Sequence, residues 1–350
     1  SNNAFTGSVT IDAGEVRIED NGAGGDLAPT AIVVNNGGTF QFGNNQIGNP
    51  DLPTTTFITA NAGGRVVWQE GEDLGGVHLL GGEIDLQQGG ITSSDTPTVQ
   101  TWTHGRLTGS GTQAWTFGGA AAIVKSTAGI VTVDGLASIT STGGVTVEDG
   151  TLRLVTAGNL GTAPLTLGGA STAGTVVYEG ATATRSGAVT LAAGGGTVEV
   201  TNPAAVLSLS GAVAGTGPLA KAGPGTLQFT GSNGIQGPFT VISGTLGSTP
   251  FNAVAGGVVA AGAGFSVVNQ VATTTLTLPT LSLGAGSKLG FTLAEPGIPA
   301  VPLLSVTTPG GLTLSGSVAV SLASTQSLGV GRFTLLEYDG VAVPSSFTLG

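Results

Sequence analysis

Gly150-Thr151-Leu152-Arg153-Leu154 and Gly225-Thr226-Leu227-Gln228-Phe229 spell one phrase, a glycine followed by a short alternating strand. The phrase recurs along most of the chain, led by Gly14, Gly38, Gly64, Gly82, Gly105, Gly129, Gly150, Gly174, Gly196, Gly225 and Gly244. These eleven glycines cover 230 residues in ten steps, or 23 per step. One short strand every ~20–25 residues is the signature of a solenoid, because a single unit cannot bury its apolar side alone.

The alternation keeps its phase across the copies. The second residue after each glycine is Val16, Phe40, Val66, Ile84, Leu107, Val131, Leu152, Val176, Val198, Leu227 or Leu246, apolar in every case. The fourth is large and apolar at nine copies (Ile18, Phe42, Trp68, Leu86, Val133, Leu154, Tyr178, Val200 and Phe229), with Gly109 and Ser248 as the exceptions. The first is mostly polar: Glu15, Thr39, Arg65, Glu83, Arg106 and Ile130, then Thr151, Thr175, Thr197, Thr226 and Thr245. A period of two sends the second and fourth residues to one side of a strand and the first and third to the other. The fold expected is all-β, a parallel β-helix (β-solenoid) with the eleven phrases stacked as one column over a shared dry interior.

Composition agrees with this class. Of the 350 residues, 40% are hydrophobic, 63 are glycine and only 8% are charged, against ~25% charged in an ordinary soluble domain. The formal charge is −11, with no lysine- or arginine-rich face to neutralise phosphates, which argues against nucleic-acid binding. No cysteine is present, so disulfides, thiolate metal sites and cysteine nucleophiles are excluded. The lack of methionine suggests a removed leader or a longer parent chain. No apolar run is long enough to span a bilayer as a helix.

In chain order, Ser1 to Gly14 resembles Ser232 to Gly244, with Gly7 matching Gly237 and Gly14 matching Gly244. The match suggests that Ser1 lies inside a repeat. Residues 1–264 read as solenoid repeats. Two insertions, Asn49-Pro-Asp-Leu-Pro-Thr-Thr-Thr and Thr92-Ser-Ser-Asp-Thr-Pro-Thr, break the rhythm and read as loops leaving the coil. From 265 to 350 the phrase loosens into longer alternating runs, such as Leu289-Gly-Phe-Thr-Leu and Val318-Ala-Val-Ser-Leu. This β-rich C-terminal segment is expected either to cap the solenoid with longer coils or to form a small sandwich against its end.

The stretch Gly217-Pro-Leu-Ala-Lys221-Ala-Gly-Pro-Gly-Thr-Leu-Gln-Phe-Thr-Gly-Ser-Asn233, followed by Phe239-Thr-Val-Ile-Ser-Gly-Thr-Leu246, resembles the autotransporter-associated β-strand repeat. Gly143 to Leu154 resembles its second half, and Phe333 to Gly340 resembles the segment closing such arrays. The resemblance implies a right-handed parallel β-helix in a large exported bacterial surface protein, often an adhesin or passenger domain, whose repeat carries no catalytic residues.

Residues with chemical potential are few. His78 and His104 lie on neighbouring coils without a carboxylate cluster of ligand spacing. Glu70, Glu72 and Asp73 make a small acidic turn, more simply a solvated loop than a calcium site. Trp102 and Trp115 would stack on sugars if exposed, and in the coil interior otherwise. Arg65, Glu83 and Arg106 should stack on consecutive coils of the outer face with Asp85 one pleat along, either as a salt-bridge row or as the grouped charges of a polysaccharide lyase or glycosidase. No catalytic, cofactor-binding or metal residue is expected. The function expected is that of a non-enzymatic, extracellular structural or adhesive element of a bacterial surface. Its expected partners are surface glycans, a flanking solenoid or further copies joined end to end. A carbohydrate-active enzyme is the alternative.

Overall fold

The computed structural model describes residues 5–18, 29–43, 52–69, 71–93, 99–111, 113–251, 255–269, 273–294, 298–325, 332–340 and 347–349, with backbone alone at 72, 93, 115, 157 and 269. Among the described residues the regular elements are strands, apart from one 3-10 turn, Ala157–Leu160, and every strand pair specified residue by residue is parallel. The chain is an all-β parallel solenoid. It divides into two compact units, Ser1–Thr166 with Ala173–Val176, and Leu167–Thr172 with Val177–Gly350.

In the first unit, one ladder joins Ser8–Ile11, Ala31–Val34 and Phe57–Asn61, then continues into the first half of Gly76–Leu86. A second joins Gly14–Ile18, Gly38–Phe42 and Arg65–Trp68 to the second half of Gly76–Leu86. Gln100–Thr108, Ile123–Val133 and Val145–Leu154 likewise serve both ladders, each bending at a corner. A third face stacks Glu72–Asp73, Ile91–Ser93, Trp115–Gly119 and Ala137–Ile139.

The expected columns are largely present here. Gly14 stands over Gly38, Phe40 over Val66, Val66 over Ile84, and Ile84 over Leu107. Phe40, Phe42, Val66, Trp68, Ile84, Leu86, Leu107 and Leu152 are buried, each large side chain contributing ~1.5–3 kcal/mol. Two expectations need correction. Val16, assigned to the interior, is 39% exposed, because its strand stacks on Gly38–Phe42 and is covered by no other ladder strand among the described residues. Arg106 faces Thr132 rather than Ile130, and Leu107 faces Val133. Extra residues at the Ser126–Ile130 corner shift the register by two, which preserves the inward side because the strand period is two.

The second unit overturns the single column. Gly196–Val200 pairs with Leu219–Ala222, not with the phrase at Gly225. Thr226–Phe229 lies on a different ladder, between Val206–Leu209 and Thr245–Ser248. That ladder continues through Gly264–Asn269, Lys288–Leu293, Val318–Ser324 and Phe347–Leu349. Leu227 and Leu246 are still buried, so the phrase codes for an inward-facing strand without specifying which face of the coil it occupies.

Along this ladder the coil grows from 19 residues, Leu246 to Phe265, to 31 residues, Leu289 to Val320. A third parallel face, Leu276–Leu278, Leu304–Val306 and Leu336–Tyr338, accompanies the longer coils. Of the two arrangements expected after residue 265, the described strands adopt the longer coils.

Candidate functional site

The outer corner of the first unit gathers its charges. Arg65 Nε donates to Glu83 Oε1 (3.0 Å) and Nη2 to Asp85 Oδ2 (2.6 Å). On the next coil Arg106 Nη1 donates to Glu83 Oε2 (2.9 Å), and Nε to Asp134 Oδ2 (2.9 Å). The structure thus brings together Arg65, Glu83, Arg106 and Asp85 as the sequence suggests, and adds Asp134, one coil further on. The Asp134 hydrogen bond, supported by Glu83 and opposed by burial, raises the Arg106 guanidinium above its ordinary value.

Asp85 differs from its neighbours. It is only 1% exposed and also accepts from Gln87 Nε2 (3.0 Å), Ser110 N (3.1 Å) and Ser110 Oγ (2.8 Å). Gln87 ends a chain of amides: Arg17 Nη2 donates to Gln41 (3.0 Å), Gln41 to Gln69 (2.8 Å) and Gln69 to Gln87 (3.0 Å). The chain starts at a cation and finishes at a carboxylate, so each amide dipole is oriented in the same sense. Sequence inspection missed it because Gln41 is the third residue of its phrase, whereas Gln69 and Gln87 are the fifth.

Between the charged side chains runs a shallow groove of about 390 Å³, floored by Gly64, Gly82 and Gly105 and edged by Arg65, Glu83 and Arg106. The floor is bare because the corner backbone is crowded. A Cβ at Gly82 would lie 2.7 Å from the carbonyl oxygens of both Asn61 and Gly64.

His78 and Trp102 pack against aromatic rings. His78 stacks on Phe57, ring centroids 5.6 Å apart, and its Nδ1 accepts from Thr101 N (3.2 Å). Burial pushes this imidazole below its ordinary value of 6.5. His104 Nδ1 lies 3.0 Å from Thr103 Oγ1. Trp102 is buried, edge-on to Phe117 at 5.3 Å, with Nε1 donating to Val77 O (3.2 Å). Trp115's side chain, Glu70 and the side chain of Glu72 lie outside the described residues, as do 49–51 of the first expected loop and 94–98 of the second. Among the described residues no group of three or more His, Cys, Asp or Glu is placed to hold a metal ion.

Ser248, an exception in the apolar column, is a buried hydroxyl that accepts from Asn233 Nδ2 (3.0 Å) and donates to Thr249 O (2.9 Å). Sequence inspection quoted Lys221 as a repeat residue but placed neither it nor Lys125 in the interior. Lys125 and Lys221 occupy ladder positions whose neighbours are Trp102 and Val147, and Val198 and Val241.

Comparison with known proteins fits this architecture. The passenger-associated-transport-repeat family matches residues 1–18 and 219–247, the two regions whose mutual likeness is visible in the sequence. The chain is also 42% identical over 84 residues to a protein described as "Adhesin BmaC autotransporter", from Brucella suis biovar 1 (strain 1330). That alignment covers 24% of this chain and 2% of the relative. No solved structure matches the chain. The family match and the relative bear out the resemblance to autotransporter-associated β-strand repeats.

Proposed function

We propose that the chain is a section of a bacterial surface adhesin that works outside the cell, without catalysis, by presenting the outer face of its coils to surface glycans. The repeat matches and the adhesin relative support this assignment. The observation that carries the non-enzymatic part is the pairing at the groove. Glu83, Asp85 and Asp134 each accept from an arginine, whereas glycoside hydrolysis needs one carboxylate to carry a proton and another to attack or activate water. Arg65 and Arg106 remain about half-exposed at the rim, where they can donate to sugar hydroxyls.

The test is a glycan-array and cell-binding assay run beside a reducing-end assay on polysaccharides. Binding that falls in Arg65→Ala and Arg106→Ala, with no cleavage, is the expected result. Cleavage abolished by Glu83→Gln in a folded protein would favour the carbohydrate-active enzyme instead.

End-to-end joining of copies, with the chain as a filament subunit in place of a section of a longer adhesin, is the competing version of this reading. Sedimentation that stays monomeric at high concentration would remove that version.

A further inference from the structure

The chain has three lysines, Lys125, Lys221 and Lys288. Lys288 is exposed, whereas Lys125 and Lys221 are 1% and 0% exposed, although lysine is almost never fully buried unless it is paired. Neither forms a salt bridge with a described carboxylate. Instead, each ammonium group points at main-chain carbonyls where two successive coils turn.

The two sites share two bonds, one to a carbonyl two residues ahead and one to a carbonyl on the next coil. Lys221 Nζ donates to Gly223 O (2.8 Å), two residues ahead, and to Ser243 O (3.2 Å) on the next coil, with a third bond to Ala222 O (2.6 Å). Lys125 Nζ donates to Thr127 O, again two residues ahead, and to Asp149 O (3.1 Å) on the next coil. Ser243 and Asp149 each precede a positive-φ glycine, Gly244 (66°) and Gly150 (70°). A Cβ there would stand 2.9 Å from Lys221 Nζ and 2.6 Å from Lys125 Nζ. The lysines also share their register, Lys221 opposite Val241 and Lys125 opposite Val147. After these valines come Ile-Ser-Gly-Thr-Leu and Glu-Asp-Gly-Thr-Leu.

We infer that Lys125 and Lys221 are interior clamps, each tying two successive coils at a corner through an ammonium group held by main-chain carbonyls. We also infer that residues 123–152 are a further copy of the repeat matched at 219–247. The clamp supplies charged donors to main-chain carbonyls at the corner, where buried polar groups are costly to leave unpaired. It is a positioning device, and the glycine after the clamped carbonyl is its partner in sequence. Glu199 beside Lys221 and Asp149 beside Lys125 favour the charged form, against the larger effect of burial, which lowers Lys221 to about 8.

Two measurements on the whole chain test the clamps. In the native protein an amine-acylating reagent followed by mass mapping should modify Lys288 and spare Lys125 and Lys221 until denaturant is added. Labelling of all three at equal rates would overturn the proposal. Next, Lys221→Met and Lys125→Met keep the stem and remove the ammonium. Amide exchange at 244–246 and at 150–152, respectively, should quicken about tenfold or more, the scale of one or two lost charge-assisted hydrogen bonds. Methylammonium should restore part of the protection in Lys221→Ala. Unchanged exchange in both Met variants, or no rescue, would mean that the lysines merely fill space. If the variants do not fold, scalar coupling across the hydrogen bonds from each Nζ to the clamped carbonyl carbons in the native chain still decides, and its absence overturns the proposal.

Discussion

At the scale of single residues, the charges of the outer corner are not equivalent. Glu83 bridges two half-exposed arginines, so its ion pairs are screened and worth little, ~0–1 kcal/mol. Asp85 is buried and holds Arg65, Gln87 and both donors of Ser110. Removing it strands several donors at once. Glu83→Gln should therefore shift the denaturant midpoint by less than ~1 kcal/mol equivalent, and Asp85→Ala by roughly 3 kcal/mol. His78 contributes a pH dependence of known sign. Its folded-state value is pushed below 6.5, so the unfolded chain takes a proton that the folded ring resists. Its contribution is intact above pH 6.5 and lost as pH falls below it. Thermal melts between pH 7.5 and 5 should drop less in His78→Phe, which keeps a ring against Phe57, than in the parent.

At the scale of the strand and its corner, glycines that look identical in sequence do different jobs. Gly14, Gly150 and Gly244 all have positive φ, but a Cβ at Gly14 meets nothing within 4 Å, whereas at Gly150 and Gly244 it meets carbonyl oxygens and a clamp ammonium. Gly14→Ala should cost about 1–2 kcal/mol from backbone strain alone. Gly150→Ala and Gly244→Ala should cost roughly 3 kcal/mol or more, read as equilibrium unfolding midpoints.

Much of the architecture was legible because alternation reports which side of a strand is dry. The interior places of Phe40, Leu107, Leu152 and Leu227 follow directly from it. Alternation does not report which face of the coil a strand joins, since any inward strand satisfies it. That is why the Gly225 phrase landed on another ladder and why the Ser126–Ile130 corner concealed a two-residue slip. At the candidate site, the Arg65–Glu83–Arg106 row was visible as a column. Asp134, the glutamine chain and the clamps were hidden because their partners depend on corner geometry, not on strand phase.

At the scale of the whole molecule, each ladder pairs a strand only with strands of adjacent coils, so stability is shared between neighbours and not pooled in one core. Phe265 sits between Leu246 and Leu289 and stacks on Phe239 at 5.1 Å. Phe265→Ala, costing ~3–5 kcal/mol, should lower hydrogen-exchange protection most in the strands carrying these residues, and progressively less further along the second unit. Uniform loss throughout that unit would show that its coils are more strongly coupled than their pairing implies. The lengthening of the coils has its own consequence under load. If a pulled chain sheds one coil per event, the slack released by a 19-residue coil is roughly 65 Å and by a 31-residue coil roughly 105 Å. Under optical tweezers, then, the spacing between successive rips would show which part of the chain had just come away.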